Sequence, residues 1–273
     1  MPVRLRQLYA RALPHGLLDL ARQLAFMFAA YTLYRWVRGY VDDPAGAAVA
    51  FENARRLISI EQGLNLFVEP QVQAWAQGVP AVVDVSSWLY INAQTTVTLG
   101  ALVYLYLAHN SSFYFVRNMF AISWVLALVG YAVYPTAPPR LFPEWGFFDS
   151  VSAFTGVSHT DSVSALFNPY AAVPSMHVCF ALMVGWPLSR LLRNRALKTF
   201  WAVYPLLVVF VIVTTANHFL ADAVLGALTA LIAFAGARGL GRLRPAAWSW
   251  KQAAIDPAPI VEPVADAVPA AVG

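Results

Sequence analysis

Six apolar runs punctuate the chain, each near the roughly 20 residues a membrane-crossing helix needs. They cover about Leu17–Tyr34, Trp88–Ala108, Phe120–Tyr134 (with an earlier start expected), Ser175–Leu192, Phe200–Ala216 and Phe219–Ala237. Residues 48–78 differ. Phe51, Ala54, Leu57, Ile58, Glu61 and Leu64 recur at helical spacing, with Glu52, Arg55 and Arg56 elsewhere on the wheel. That pattern predicts an amphipathic helix lying in the membrane interface, packed on the spans or gating lipid access. Residues 135–173 are rich in Pro, Gly, Ser and aromatics, and a connection of that length is uncommon unless functional. From about 245 to 273 the chain alternates Pro, Ala and Val with few charges, which predicts a disordered tail after a membrane domain over 1–244. No internal repeat is present.

Composition agrees with the pattern. The chain has 273 residues, of which 59% are hydrophobic and 12% charged, and its mean hydropathy is +0.58. Soluble domains carry about twice that share of charge, so this surface is not built for water. The expected fold class is all-α: a polytopic membrane protein of about six transmembrane helices with an extracytoplasmic interfacial helix. The first run follows Arg4, Arg6 and Arg11 but contains Asp19 and Arg22 and lacks a small-residue cleavage site, so it reads as a retained span. Asp19 and Arg22, three residues apart, are expected to pair. The lone Cys179 excludes an intramolecular disulfide and reads as a small packing residue.

Basic residues orient the spans. With the N-terminus cytoplasmic, the inner segments hold Arg4, Arg6, Arg11, Arg117, Arg190, Arg193, Arg195, Lys198, Arg238, Arg242, Arg244 and Lys251, most of the 18 Lys and Arg. The outer side holds Arg35, Arg38, Arg55, Arg56 and Arg140. Both ends are therefore expected in the cytoplasm.

Ionisable residues at membrane depth are rare and mark function by default. In this topology Arg140, His177, His218 and Asp222 all fall at the outer ends of their spans. Asp222 is four residues after His218, one helical turn away, where it can take a hydrogen bond from one ring nitrogen and leave the other free. Ser175, after Pro174, is a natural N-cap that puts His177 in the first turn of its helix, where N–H groups and the macrodipole attract anions. An arginine, a helix N-terminus and two histidines describe a site for a phosphoryl group. Asn217 is read as a substrate contact or a helix cap, and Arg140 taken alone as a snorkelling anchor. His15, His109 and His159 are read as non-catalytic, with His159 and Asp161 placed to touch a polar headgroup.

The blocks "PTAPPR", "PSMH" and "NHFLADAVLG", with "FENARRLISIEQGLNLFVEP" upstream, resemble the signature blocks of the type 2 phosphatidic acid phosphatase superfamily. The nearest branch in pattern is the inositol phosphorylceramide synthase-like (inositolphosphotransferase) one. The resemblance implies that Arg140 binds substrate phosphate, with Ser175 at the adjoining helix start. It implies that His218 is the nucleophile forming a phosphohistidine, Asp222 orients it, and His177 protonates the leaving group. The family's remaining cations are missing: its first-block lysine falls at Val133 and its third-block arginine at Ile212, and the second-block glycine is Met176. This reduced pattern favours a phosphotransferase, with a plain lipid phosphatase as the alternative. Outside that class stand a bis-histidine haem protein and a non-catalytic lipid-binding protein. The expected partners are a phospholipid or polyprenyl phosphate and membrane lipids, with no nucleic acid. No cofactor or metal is expected, and the site is expected at the extracytoplasmic face of the cell membrane.

Overall fold

A computed structural model describes residues 13–40, 44–156 and 170–243. Arg4, Arg6, Arg11, His159, Asp161, Arg244, Lys251 and the tail expected over 245–273 lie outside the described residues, as does the domain boundary at 244.

Each apolar run is a helix. In chain order the helices are α1 (Gly16–Tyr40), α2 (Pro44–Gly63), α3 (Glu69–Gln77), α4 (Pro80–Ala108), α5 (Asn110–Val133), α6 (Ser150–Thr155), α7 (Met176–Leu191), α8 (Arg195–Thr214) and α9 (Leu220–Leu243). Among the described residues the fold is all-α, and the chain is a polytopic membrane protein. Helices α5, α8 and α9 are long and apolar enough to cross a membrane, and α7 is a shorter apolar helix. Helices α1 and α4 have the length, at 25 and 29 residues, but not the uniform apolarity. Asp19, Arg22 and Gln23 interrupt the first, and Asp84, Asn92 and Gln94 the second.

Two expectations change in this region. Asp19 does not pair with Arg22, which is exposed. Instead it accepts hydrogen bonds from Gln23 Nε2 (2.9 Å), Tyr106 Oη (3.0 Å) and Tyr114 Oη, tying α1 to α4 and α5. Arg117 is no inner-loop charge either, because α5 begins ten residues earlier than the apolar run. Its guanidinium is buried and donates to Gln23 Oε1 (2.6 Å) and Asn118 Oδ1 (2.7 Å). A charge buried among apolar helices needs such partners.

The segment 48–78 is two helices rather than one. The chain breaks at 64–68, where Asn65 adopts a left-handed φ of 57° and Leu64 is exposed. The expected stripe holds within α2: Ala54, Leu57, Ile58 and Glu61 are buried while Glu52, Arg55 and Arg56 face outward. The α2 and α3 pair lies against the segment between α5 and α6 and the start of α9. Asn53 Nδ2 donates to the Pro135 carbonyl (2.9 Å), and Gln73 Nε2 to that of Phe148 (2.7 Å).

Helix α9 runs along α5 and α7 on a seam of small residues: Ala223, Gly226, Ala230, Ala233 and Ala237. Their alternating spacing of three and four keeps one stripe facing the neighbours. Between helices in lipid, close packing rather than exclusion of water favours association, and small residues permit it. Two glycines seat the loop before α7. A Cβ at Gly130 would lie 2.7 Å from Pro174 Cδ, and one at Gly226 would overlap the Ser175 carbonyl oxygen. The Pro174–Ser175 corner is thus wedged between α5 and α9.

Substituting Gly226→Ala therefore forces a backbone shift and is expected to destabilise the protein by about 1–3 kcal/mol. Gly239→Ala on the same helix meets nothing within 4 Å and should stabilise by up to about 1 kcal/mol through helix propensity. Thermal unfolding in detergent of the two variants reads the contrast directly.

Candidate active site

The turn between α8 and α9 brings the chemistry together. It closes on one carbonyl: Ile212 O accepts from Asn217 N (3.0 Å) and His218 N (3.3 Å). Ala216 takes the left-handed φ of 51° that the reversal requires. Ile212 itself is fully buried with Val178, Val213 and Ala223. The position of the family's third-block arginine is thus a packing residue.

His218 precedes α9 instead of lying on it, so the expected shared helix face is not what joins it to Asp222. Phe219 is the N-cap residue and Asp222 the third helical residue. Asp222 Oδ2 reaches back to Phe219 N (2.9 Å), which is the carboxylate half of a capping box. The same oxygen stands 3.2 Å from His218 Nδ1. His218 and Asp222 are 5% and 0% exposed. With Asp222 ionised, this contact puts the proton on Nδ1 and leaves Nε2 with its lone pair, the tautomer a nucleophile needs.

His177 lies in the first turn of α7, after Ser175 at the N-cap. No side chain caps that end, and the Ser175 Oγ is buried without a hydrogen-bond partner. Ser175 N donates to the Asp222 carbonyl (3.1 Å), which pins the start of α7 to the first turn of α9. The His177 and His218 rings meet edge to face with centroids 5.5 Å apart, leaving no slot between them for a haem macrocycle. On its other side His177 stacks on Tyr90 of α4 (4.4 Å, 22°). From His177 a narrow apolar groove runs between α4, α7 and α8, lined by Tyr90, Gln94, Phe180, Val208 and Ile212 among others.

Arg140 is placed beside the same turn by its own backbone, since Arg140 N donates to Ala216 O (2.8 Å). Its Nη1 donates to Asn217 Oδ1, and its Nε stands 3.7 Å from Asp149 Oδ2, an ion pair too long for a hydrogen bond. Asn217 in turn donates Nδ2 to Thr215 O (3.0 Å). It neither caps a helix nor points away from the site: it aims the arginine. Val133, at the position of the family's first-block lysine, is 76% exposed at the end of α5, on a surface suited to lipid.

A sequence model of the PAP2 superfamily matches residues 55–236. The chain belongs to the PAP2 superfamily. No curated protein and no solved structure matches it. Superfamily membership makes the protein a phosphatase-type membrane enzyme, with lipid phosphate as the substrate type and membrane lipids as surroundings. The matched region holds every candidate site residue, and the fold assembles all five: Arg140, Ser175, His177, His218 and Asp222.

Several neighbours escaped the sequence reading. Tyr90 and Asp149 left no pattern to detect. Glu61 did leave one, as an acid on the apolar stripe of α2. Glu69 stands beyond the break at the start of α3. Both are buried against the first turn of α9, at 3% and 0% exposure.

Asp222→Asn puts an amide where the imidazole N–H needs an acceptor. It is expected to lower kcat by about 10²–10⁴-fold without loss of fold, in an assay of phosphate release or transfer from a lipid phosphate. Asn217→Ala releases Arg140 while leaving the histidines in place. Its main effect is expected on KM, a rise of about tenfold or more, in the same assay.

Proposed function

We propose that this PAP2 enzyme transfers a phospho-headgroup from a lipid donor to an alcohol acceptor, in the manner of an inositolphosphotransferase, through a phosphohistidine on His218. The observation that carries the chemistry is the shared carboxylate oxygen of Asp222, which fixes both the tautomer of His218 and the helix it precedes. The apolar groove ending at His177 supports a lipid donor, its chain among the side chains of α4, α7 and α8. The preference for transfer over hydrolysis rests on the thin cationic cradle. With Ile212 and Val133 apolar, Arg140 and the uncapped start of α7 at Ser175 bind the phosphate.

The reaction divides into two displacements. His218 Nε2 attacks phosphorus as the bond to the lipid oxygen breaks, and His177 gives that oxygen its proton. Asp222 stabilises the imidazolium formed. Arg140 holds the non-bridging oxygens in a bidentate fork, which suits a transfer governed by positioning and charge. In the second step the acceptor hydroxyl gives its proton to His177 and attacks the phosphohistidine, and His218 departs neutral. Tyr90, stacked on His177, holds that ring between its two partners. The proposed topology keeps six crossings with both ends cytoplasmic, so the site opens at the extracytoplasmic face of the cell membrane.

Purified enzyme in detergent, given a phospholipid with a labelled headgroup and an added polyol, is expected to form a new phosphodiester and an acid-labile phosphoenzyme. His218→Ala should abolish both. Free phosphate or free headgroup phosphate as the only product, whatever the acceptor, would overturn the transferase reading in favour of a lipid phosphatase.

A further inference from the structure

The first turn of α9 carries three carboxylates on three consecutive backbone N–H groups. Phe219 N donates to Asp222 Oδ2 (2.9 Å), Leu220 N to Glu69 Oε1 (2.7 Å) and Ala221 N to Glu61 Oε1 (2.7 Å). The glutamates come from α3 and α2, 151 and 160 residues away along the chain. Their second oxygens, Glu61 Oε2 and Glu69 Oε2, are buried and meet no hydrogen-bond partner. Three carboxylates on one helical turn, two of them with a buried oxygen that no donor meets, are relieved of mutual repulsion by taking up a proton.

We propose that Glu61 and Glu69 are positioning residues for the His218–Asp222 pair, sharing one proton and occupying the end of α9 so that substrate phosphate cannot settle there. The inference rests on the reading of His218 and Asp222 given above. A helix N-terminus next to a nucleophile is an anion site by default. At α9 that end is filled, whereas at α7 no side chain fills it. The phosphate is thereby directed to the α7 end, facing His177 and Arg140. Without the shared proton, three negative charges would crowd one helical turn and repel the incoming phosphate. With it, the glutamates clasp α9 and leave Asp222 as the carboxylate that faces His218.

Burial, and then the charge of Glu69, raise the Glu61 carboxyl to about 8, with Asp222 adding to the effect. The groups facing Glu61 are Glu69 from α3 and Asp222 from α9, with His218 behind Asp222. Arg55 and Arg56 are on the exposed side of α2, and Arg140 is engaged by Asn217 and Asp149. Because the folded protein holds this proton above the ordinary range of a glutamate, its contribution to stability is complete below about 4.5. It is lost as pH rises through about 8.

The test uses the full chain in detergent with the lipid-phosphate assay and infrared spectroscopy. Glu61→Gln keeps an oxygen for Ala221 N and gives Glu69 a permanent N–H donor. It is expected to move the alkaline limb of the kcat–pH profile up by about one unit or more. The double variant Glu61→Gln/Glu69→Gln faces two amide NH₂ groups with no acceptor between them, and should fall about tenfold or more below either single variant. In wild type a protonated-carboxyl C=O band should disappear as pH rises through about 8, and Glu61→Gln should lack it. An alkaline limb unmoved in Glu61→Gln would overturn the positioning role. Absence of the titrating band in wild type would overturn the shared proton. If wild type proves inactive on every lipid phosphate, the functional reading falls, and the band still decides the shared proton.

Discussion

A helix that begins against apolar neighbours must have its first N–H groups met by something other than water, and at the start of α9 the donors are met by acids. Asp222, Glu69 and Glu61 take the N–H groups of Phe219, Leu220 and Ala221. Two of the three come from α2 and α3, so this one capping requirement joins the amphipathic pair to the membrane bundle. It also joins structure to chemistry, because the oxygen that caps Phe219 N is the one that faces His218 Nδ1. The orientation of the His218 ring is thus a by-product of starting a helix correctly. Any shift of α9 along its axis would move Asp222 and its cap together.

The same economy runs through the opposite wall of the site. The small-residue seam of α9 lets the corner before α7 approach until Ser175 N bonds the Asp222 carbonyl. Asp222 therefore serves with its side chain toward His218 and with its backbone toward the helix bearing His177. Arg140 is fixed through Ala216 O in the turn that holds His218. Three separate blocks of sequence converge on residues 212–222, which explains why a single polar cluster can exist among so many apolar side chains.

What was legible in the sequence follows the range of the interactions. Runs of apolar residues report on their own helix, and all six appear as helices, although α4 and α5 begin eight and ten residues before their runs. The spacing of His218 and Asp222 was legible for the same reason, although a capping box rather than a common helix face joins them. Interactions between distant segments were not legible. Arg117 looked like a cytoplasmic charge because its partner Gln23 is 94 residues away. Asp19 looked like the mate of Arg22 because the tyrosines that hold it belong to other helices. The break at 64–68 was hidden by a helical period that continued to Leu64.

Glu61 is the instructive case. On the α2 wheel it occupies the apolar stripe, a local conflict of the kind that marks a functional or strained position when the surrounding pattern is otherwise regular. Read as one more polar residue on an interfacial helix, it carries no information. Read as an acid that the helix deliberately turns inward, it requires a donor inside the protein. Of the donors available at a membrane surface, the open end of another helix is the one that backbone geometry supplies without any side chain. The chain meets that requirement with α9. The amphipathic pair is then a structural part of the turn that holds His218, and Glu52, Arg55 and Arg56 are left on its exposed face.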